Sequence, residues 1–239
     1  MVEVIPAILP ENIEEIREKM SLVNGLVDIV QVDICDGKFV PNTTWPYKND
    51  EEGSFQKIIG EEEGFPFWDS IDFEADLMVE NPEEVVEEWI NAGAKRLVLH
   101  IESCRNMRGL LEKLREEYGY SGDNPLSIDI GLALDVKTPN EAVYELLSPQ
   151  TDGKFLVDFV QFMGIDRVGF QGEAFDEVVL DKIREMRSNF PEIVISVDGG
   201  VNLDNAYEMT EAGVNRLISG SAIFESGDVA KAIEELGQA

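Results

Sequence analysis

The sequence is poor in the residues that build metal and disulfide sites. Its 239 residues include one His and two Cys. Cys35 and Cys104 form no CxxC pair, and a lone His cannot complete a zinc site with them. Two isolated cysteines fit a reducing compartment better than a disulfide framework. The sequence therefore gives no support for a Cys/His zinc site or for a disulfide-stapled secreted domain.

Positive charge is also scarce. Only 19 Lys and Arg stand against 49 Asp and Glu, which gives a net charge of −30, and no run of Lys or Arg exceeds two residues. Such a surface repels phosphate backbones and anionic lipids, so neither nucleic acid nor a membrane is an expected partner. No apolar stretch approaches the ~20 residues of a membrane span, and Met1 to Pro10 lacks the basic start of a secretory signal. We therefore expect a cytoplasmic protein.

What the chain does contain is an alternation of strand and helix patterns. It is 44% hydrophobic, enough to bury a sizeable core, which excludes global disorder. Short apolar or β-branched runs alternate with segments of 3.6-residue periodicity. Eight such units in ~250 residues predict a (β/α)8 barrel. The predicted strands are Val2 to Leu9, Val27 to Ile34, Ile71 to Val79, Arg96 to Ile101, Leu126 to Leu134, Phe155 to Met163, Ile193 to Val197 and Asn215 to Ile218.

The composition of these strands favours a parallel sheet. Leu97-Val98-Leu99 and Phe155-Leu156-Val157 do not alternate with polar residues, which is typical of strands covered by helices on one side and by a core on the other. A doubly wound sheet is the alternative. An acidic insert at about 50–64, with a central helical turn, is expected to decorate the loop after the second strand. No linker divides the chain, so one domain over residues 1–239 is expected.

Ionisable side chains stand at the predicted carboxyl ends of the strands, where barrels of this kind carry their active sites. The second strand places Gln31, Asp33 and Cys35 on one face. A carboxylate inserted into such an apolar run is expected to be ion-paired, metal-bound or catalytic. Asp198 ends the seventh strand just before two glycines, where its side chain can point into a site. For His100, a hydrogen-bonded core histidine is the favoured interpretation.

Three glycine-rich turns follow the last three strands. In barrels of this kind, the loops after the last two strands and the N-terminus of a short extra helix present backbone N–H groups to a phosphate. Three such turns at one end of the barrel predict a ligand that carries a phosphate. The candidate phosphate-binding residues are Gly169, Gln171, Gly172, Gly199, Gly200, Gly220 and Ser221.

The segment from Val32 to Asn42, VDICDGKFVPN, resembles the VDxMDGxFVPN motif of the ribulose-phosphate 3-epimerases. Further matches in the family's order extend this similarity from Ile5 to Phe224, almost the whole chain. The resemblance implies a TIM barrel of the ribulose-phosphate-binding type, a ketopentose 5-phosphate substrate and a role in the pentose phosphate pathway. The implied reaction inverts C3 between ribulose 5-phosphate and xylulose 5-phosphate.

The resemblance also implies roles for individual residues. It matches Asp33 and Asp198 to the family's two catalytic aspartates. Such a pair suits the reaction, because one carboxylate removes the C3 proton and a carboxylic acid returns a proton to the opposite face of the enediolate. Three sulfur-containing residues match or replace family methionines that line the enediolate site, or else belong to the core: Cys35, Met78 and Met163. The expected substrate pocket contains Cys35, Met78, His100 and Met163.

The family binds a divalent metal through two His and two Asp, and both His are replaced here, by Gln31 and Asp76. The expected ligands are therefore Gln31, Asp33, Asp76 and Asp198, which offer only oxygen atoms and favour Mg or Mn over Zn. Alternatively, Gln31 and Asp76 hydrogen-bond each other or a water, and no metal binds.

Three functions remain open from the sequence. The first is a metal-dependent epimerase, commonly a homo-oligomer in this family. The second is a sugar-phosphate-binding barrel that no longer catalyses. The third is a related enediolate enzyme acting on another sugar phosphate.

Overall fold

The eight strands form one closed parallel barrel in sequence order. The computed structural model describes residues 2–120, 127–150 and 153–239. Closure of the sheet confirms the TIM-barrel prediction and excludes a doubly wound sheet. The strands are β1 (Glu3–Ile8), β2 (Ile29–Cys35), β3 (Asp72–Met78), β4 (Arg96–His100), β5 (Asp129–Leu134), β6 (Phe159–Met163), β7 (Val194–Asp198) and β8 (Arg216–Ser219).

Helices follow the strands, as the periodicity predicts. Asn12 and Asn106 cap two of them by accepting hydrogen bonds from backbone N–H groups three residues ahead. Gly93 and Gly213, with φ of 101° and 116°, follow the ends of two others in the left-handed conformation that glycine adopts without strain. The helices of the described residues are α1 (Ile13–Val23), α2 (Ser54–Ile59), α3 (Val86–Asn91), α4 (Met107–Tyr118), α5 (Glu141–Leu147), α6 (Val178–Asn189), α7 (Ala206–Ala212), α8 (Ser221–Phe224) and α9 (Val229–Gly237).

The side chains of β2 alternate between the hydrophobic core and a polar group inside the barrel. Val30, Val32 and Ile34 are buried in the hydrophobic core cluster, whereas the alternate residues Gln31 and Asp33 belong to a buried polar group. Because successive side chains of a strand point to opposite faces, a strand that is buried throughout still delivers polar groups to the inside of the barrel.

The amino end of the barrel is closed by ion pairs. Arg96 lies 3.3 Å from Glu3, 3.4 Å from Glu74 and 3.7 Å from Asp129, and Arg216 lies 2.9 Å from Glu3. Burial raises the pKa of Glu74 to about 7, against the opposing effect of Arg96. These groups pair with one another at the amino end and leave the carboxyl end open for a ligand.

The sixth strand begins later than predicted. β6 starts at Phe159, and Phe155, the predicted first residue, is 48% exposed. The carboxylate of Asp158 accepts hydrogen bonds from Arg115 Nη2 at 2.5 Å and from the backbone N–H of Ile130 at 2.7 Å. The apolar residues before Asp158 are therefore buried from a loop, not from the sheet. The predicted fifth strand began at Leu126, outside the described residues, whereas β5 begins at Asp129.

The acidic segment after β2 contains α2. Within α2, the ring of Phe55 lies 5.4 Å from the ring of Trp45 and 4.6 Å from that of Trp89. Trp45 Nε1 donates a hydrogen bond of 2.9 Å to Ser54 Oγ. The apolar face of this segment is thus packed against the α3 side of the barrel. Its glutamates are exposed, whereas Asp50 accepts hydrogen bonds from Trp45 Nε1 and from the backbone N–H of Ser54.

Candidate active site

Three aspartates from three strands meet inside the barrel. Asp33 of β2 and Asp76 of β3 are paired in register, and Asp198 ends β7. One carboxylate oxygen from each lies within 4.8 Å of the others. The residues are only 6%, 0% and 8% exposed, respectively. The structure therefore brings together the two candidate catalytic aspartates and one candidate metal ligand.

Gln31 bridges the two candidate catalytic residues. Its Nε2 donates hydrogen bonds to Asp33 Oδ1 at 2.8 Å and to Asp198 Oδ2 at 2.7 Å. The other amide atom, Gln31 Oε1, is buried without a hydrogen-bond partner. Gln31 thus pairs with Asp33 and Asp198 and not with Asp76, which corrects the alternative in which Gln31 and Asp76 hydrogen-bond each other.

Asp76 has partners of its own. His100 Nε2 lies 3.0 Å from Asp76 Oδ1, and Gln161 Nε2 donates to Asp76 Oδ2 at 3.3 Å. Burial lowers the pKa of His100, but the adjacent Asp76 outweighs burial and raises that pKa above 6.5. His100 is a fully buried histidine held behind Asp76, in agreement with the interpretation as a hydrogen-bonded core residue.

The electrostatics of the cluster favour a shared proton. Burial, followed by repulsion from Asp198 and Asp76, raises the pKa of Asp33 well above 3.8. Burial and the charge of Asp76 raise the pKa of Asp198 to about 7, although the hydrogen bond from Gln31 opposes this. Near neutral pH, one carboxyl group of the pair can therefore hold a proton while the other is ionised, as a two-group proton transfer requires.

The raised pKa of Asp198 predicts a pH-dependent stability. Without a cation, folded Asp198 keeps its proton up to about pH 7, whereas the unfolded chain loses it near 3.8. Between these values the folded state binds more protons, so the free energy of unfolding falls as the pH rises. Asp198→Asn removes this contribution, and its advantage in unfolding free energy over wild type is expected to grow to on the order of 4 kcal/mol by about pH 7.

Urea denaturation of both proteins at several pH values, in chelator, measures this difference. A wild-type-to-variant difference that stays constant between about pH 4 and about pH 7 would contradict the raised pKa.

The donor set fits a hard divalent ion. Asp33, Asp76 and Asp198 supply three buried carboxylates, and a cation relieves the repulsion that raises the pKa of Asp33 and Asp198. The amide of Gln31 offers a fourth oxygen only if it turns over by 180°, which gives up its hydrogen bonds to Asp33 and Asp198. A set of oxygen donors suits Mg²⁺ or Mn²⁺.

A cleft with about 470 Å³ of space, part of it open to solvent, lies beside the cluster. Asp33 and Asp198 line it together with Met78 and Met163. Cys35 and His100, also predicted for the pocket, are not among its lining residues. Burial raises the pKa of the Cys35 thiol far above its usual range, so Cys35 is a neutral side chain packed next to Met78.

The far wall of the cleft is built from the glycine-rich turns. Gly172, Gly199 and Gly200 have φ of 75°, 99° and 71°, backbone conformations that other residues adopt only with strain. Among the described lining residues there is no Lys or Arg, so an anion there would be bound by uncharged donors, the backbone N–H groups and the Ser221 hydroxyl. All seven predicted phosphate-binding residues line this wall: Gly169, Gln171, Gly172, Gly199, Gly200, Gly220 and Ser221.

Sequence reasoning missed two buried polar residues of the site. Gln161 lies two positions before Met163 on β6 and reaches Asp76, and its polar character in an apolar strand was an available signal. Thr44 Oγ1 donates to the backbone carbonyl of Asp33 at 2.9 Å and accepts from the N–H of Cys35 at 2.8 Å. Thr44 lies in the loop after β2, and nothing in its sequence distance from Asp33 predicts that the two residues are in contact.

Comparison with known proteins assigns the family. Residues 3–224 match the model of the ribulose-phosphate 3 epimerase family. The chain belongs to this family. The chain is 29% identical to ribulose-phosphate 3-epimerase of Bacillus subtilis, over 99% of this chain and 98% of the relative. It is 31% identical to the chloroplastic ribulose-5-phosphate-3-epimerase of Arabidopsis thaliana, over 97% of this chain and 74% of the relative.

Solved structures agree on the fold of this epimerase-family chain. KGPDC from Streptococcus mutans superimposes with a TM-score of 0.67 at 16% identity over 99% of this chain and 96% of the other. 3-Hexulose-6-phosphate synthase from Salmonella typhimurium gives 0.65 at 16% identity over 99% and 97%. These likenesses concern the barrel alone. In the part of the chain that the structure describes, no helix combines the length and apolar character needed to cross a membrane.

Proposed function

We propose that this protein inverts C3 of a ketopentose 5-phosphate, interconverting ribulose 5-phosphate and xylulose 5-phosphate. The observation that carries the proposal is the placement of Asp33 and Asp198 on separate strands, β2 and β7, at one cleft. Gln31 links the two carboxylates, and the glycine-rich wall completes the cleft. Membership in the epimerase family supplies the reaction, and this arrangement supplies an acid and a base for it.

The proposed chemistry uses the two aspartates in opposite senses. The ionised member of the pair takes the C3 proton, which is acidic because C3 lies next to the C2 carbonyl. The electron pair of the broken C3–H bond forms a C2–C3 double bond, and the π pair of the C2 carbonyl moves onto its oxygen, giving a planar enediolate. The protonated member then delivers its proton to the other face of C3, and the configuration inverts. In the reverse direction the two aspartates exchange the roles of acid and base. Each must therefore work in both roles, which their similar buried surroundings allow.

Gln31 acts as a positioning residue in this scheme. One NH₂ group donates to both carboxylates, at 2.8 and 2.7 Å, and so fixes the oxygens that it contacts. The second oxygen of each carboxyl group remains for the substrate. This bond also stabilises the ionised form of either aspartate, so the amide supports a base on both sides of the sugar.

A divalent ion is the proposed cofactor. Asp33, Asp76 and Asp198 would hold it, and Mg²⁺ or Mn²⁺ suits these oxygen donors. Gln31 would add its amide oxygen only if the amide turned over, which would replace its hydrogen bonds to Asp33 and Asp198. When bound, the ion would supply positive charge that offsets the negative charge of the enediolate. His100 and Gln161, which contact the two oxygens of Asp76, would orient that ligand from behind.

The phosphate is proposed to bind the backbone N–H groups of the glycine-rich wall. The net charge of the chain is −30, so a phosphate dianion needs local donors. Backbone N–H groups at positive-φ glycines can converge on an anion without a charged side chain. Gly172 and Gly200 have positive φ, whereas Gly220, with φ of −101°, directly precedes α8. The three come from the loops after β6, β7 and β8 and line one cleft, which supports the assignment.

Replacement of Gly172 tests the phosphate wall. A Cβ atom at Gly172 meets no other atom within 4 Å, although the φ of 75° strains most side chains there. Gly172→Asp is chosen because Asp tolerates positive φ better than most residues, and it places a carboxylate in the open space where the phosphate would approach. We expect the KM for ribulose 5-phosphate to rise at least ~10-fold with a smaller change in kcat, because phosphate contacts mostly provide uniform binding. Initial rates over a substrate series measure both constants, and a fall in kcat at unchanged KM would contradict this role.

A bulky residue at Gly200 is expected to raise KM as well, but it is a less selective test. A Cβ there would lie 2.7 Å from the backbone N and Cα of Phe175. Since backbone atoms cannot move aside cheaply, such a variant changes the fold together with the binding of phosphate. Gly172→Asp, whose Cβ meets no other atom within 4 Å, is therefore the preferred variant.

The proposed activity is tested by supplying ribulose 5-phosphate and following xylulose 5-phosphate by NMR. Parallel reactions contain Mg²⁺, Mn²⁺, Fe²⁺, Co²⁺ or Zn²⁺. We expect turnover with Mg²⁺ and Mn²⁺. Failure to convert the substrate with any of these ions would refute the epimerase proposal.

A second candidate function is a sugar-phosphate-binding barrel without catalysis. Its supporting observation is Gln31, whose N–H groups already occupy one oxygen of each aspartate. This candidate predicts binding of ribulose 5-phosphate with no conversion and no exchange of its C3 proton. A third candidate, another enediolate reaction, predicts that a different sugar phosphate is consumed while ribulose 5-phosphate is only bound.

Three further properties remain proposals: one domain over residues 1–239, a cytoplasmic location and a homo-oligomeric assembly. Sedimentation of the purified protein measures the last of these.

A further inference from the structure

A second group of metal-ligand atoms lies outside the aspartate cluster. A ring nitrogen of His100 and one carboxylate oxygen each from Glu102 and Asp135 lie within 4.8 Å of one another. His100 ends β4, Glu102 follows it two residues later, and Asp135 follows the end of β5. These neighbouring strand ends are paired through His100 and Ala133. The group is therefore held by two adjacent strands of the barrel.

Unsatisfied atoms point to a missing ligand at this position. His100 is fully buried, its Nε2 is engaged by Asp76, and its Nδ1 has no hydrogen-bond partner. Asp135 Oδ1 is buried and without a partner too. A buried nitrogen and a buried carboxylate oxygen that lack partners are each unfavourable, and both are rare in folded proteins.

We infer that His100 Nδ1, Glu102 and Asp135 bind a second divalent cation, of the class that accepts imidazole nitrogen, such as Zn²⁺ or Co²⁺. One nitrogen and two carboxylates make a common ligand set for these ions. Mg²⁺, which prefers oxygen donors and retains water, is a poor competitor for it. The two proposed sites thus differ in the ions that they favour.

The contact between His100 and Asp76 has the geometry of a metal-bound histidine. A histidine that binds a metal through one nitrogen usually donates its other ring N–H to a carboxylate, which fixes the tautomer. The distance from His100 Nε2 to Asp76 Oδ1 is 3.0 Å. With a cation on Nδ1, the proton must lie on Nε2 and is donated to Asp76. The second site is thereby linked to a proposed ligand of the first.

Charge around the group also favours a cation. One carboxylate oxygen of Glu102 and one of Asp135 lie within 4.8 Å of each other, so a divalent ion would offset their mutual repulsion. The ammonium group of Lys182 donates to the backbone carbonyls of Asp135 and Val136 at 2.6 and 3.1 Å. Glu102 is exposed, which gives an ion access from solvent.

The single histidine of the chain makes the test specific. Protein with ¹⁵N-labelled histidine is stripped of metal, saturated with Mg²⁺ and then titrated with Co²⁺. We expect one bound Co²⁺ per chain by elemental analysis after dialysis against Mg²⁺. The lone imidazole Nε2–H should give a paramagnetically shifted NMR signal.

Three variants assign the ion. The double variant Glu102→Gln, Asp135→Asn is expected to lose the bound Co²⁺, while Gln at position 102 keeps the oxygen that accepts from the Asp135 N–H at 3.0 Å. Asp69→Asn with Glu208→Gln, an equal charge change at two exposed residues, is expected to keep it. Asp33→Asn with Asp198→Asn, which removes the first site, is expected to keep it too.

Two results would overturn the inference. One is wild-type protein that retains no Co²⁺ in the presence of Mg²⁺. The other is Co²⁺ that is lost from the Asp33→Asn, Asp198→Asn variant but retained by the Glu102→Gln, Asp135→Asn variant, since the ion would then belong to the aspartate cluster. Neither result bears on epimerisation, which is measured separately.

Discussion

Asp198→Asn is expected to lower the rate of C3 epimerisation by at least ~10³-fold, and Asp33→Asn by a similar factor. An amide can neither accept the C3 proton nor return one, so each variant removes one of the two proton-transfer groups. The fold should survive, because an asparagine oxygen can still accept the hydrogen bond from Gln31 Nε2 that each carboxylate accepts now. Single-turnover conversion of ribulose 5-phosphate, followed by NMR, measures the loss.

Asp69→Asn serves as the matched control, because it makes the same chemical change at an exposed residue shortly before β3. It is expected to keep wild-type activity. Near-full turnover by either Asp33→Asn or Asp198→Asn would show that the two-carboxylate assignment is wrong. Retained binding of ribulose 5-phosphate by both variants would separate loss of chemistry from loss of the site.

Removal of divalent ions is expected to produce the second largest effect, a loss of at least ~100-fold in epimerisation. Asp33, Asp76 and Asp198 are buried and close together. Without a cation, adding an enediolate to them brings further negative charge into a cluster that already resists ionisation. Mg²⁺ or Mn²⁺ should restore activity to chelated protein, whereas Zn²⁺ should restore little, because the donors are oxygens.

Metal analysis of protein purified without chelator, followed by titration with Mn²⁺, tests this preference. Stoichiometric zinc that disappears in Asp33→Asn would contradict the hard-ion prediction. Failure of millimolar Mg²⁺ or Mn²⁺ to bind the aspartate cluster would favour the binding barrel without catalysis.

The sequence was sufficient to place the main parts of the site. The spacing of apolar runs predicted eight strands, and the period-2 pattern of β2 separated Asp33 from its core neighbours Val32 and Ile34. Because the parallel strands of a barrel have their carboxyl ends on the same side, a carboxylate at the end of β2 and another at the end of β7 are expected at the same end of the barrel. The glycine-rich wall followed from the same rule.

Side-chain pairing could not be predicted in the same way. Gln31 and Asp198 are 167 positions apart, and nothing in the local sequence selects which of the clustered aspartates Gln31 contacts. The pairing of His100 with Asp76 depends on rotamers inside a closed barrel. The predicted start of β6 was wrong. Leu156 and Val157 are buried although they lie in a loop, and an apolar run of this kind looks the same in the sequence as a buried strand.

The most direct test of the two-aspartate epimerase is the reaction of ribulose 5-phosphate in D₂O with Mg²⁺ or Mn²⁺, stopped at low conversion. Two proton-transfer groups predict that the first xylulose 5-phosphate carries one solvent deuterium at C3, because the group that protonates the enediolate differs from the group that removed the proton. Product that retains the original C3 proton would contradict this mechanism, and neither conversion nor C3 exchange with either ion would contradict the catalytic function itself.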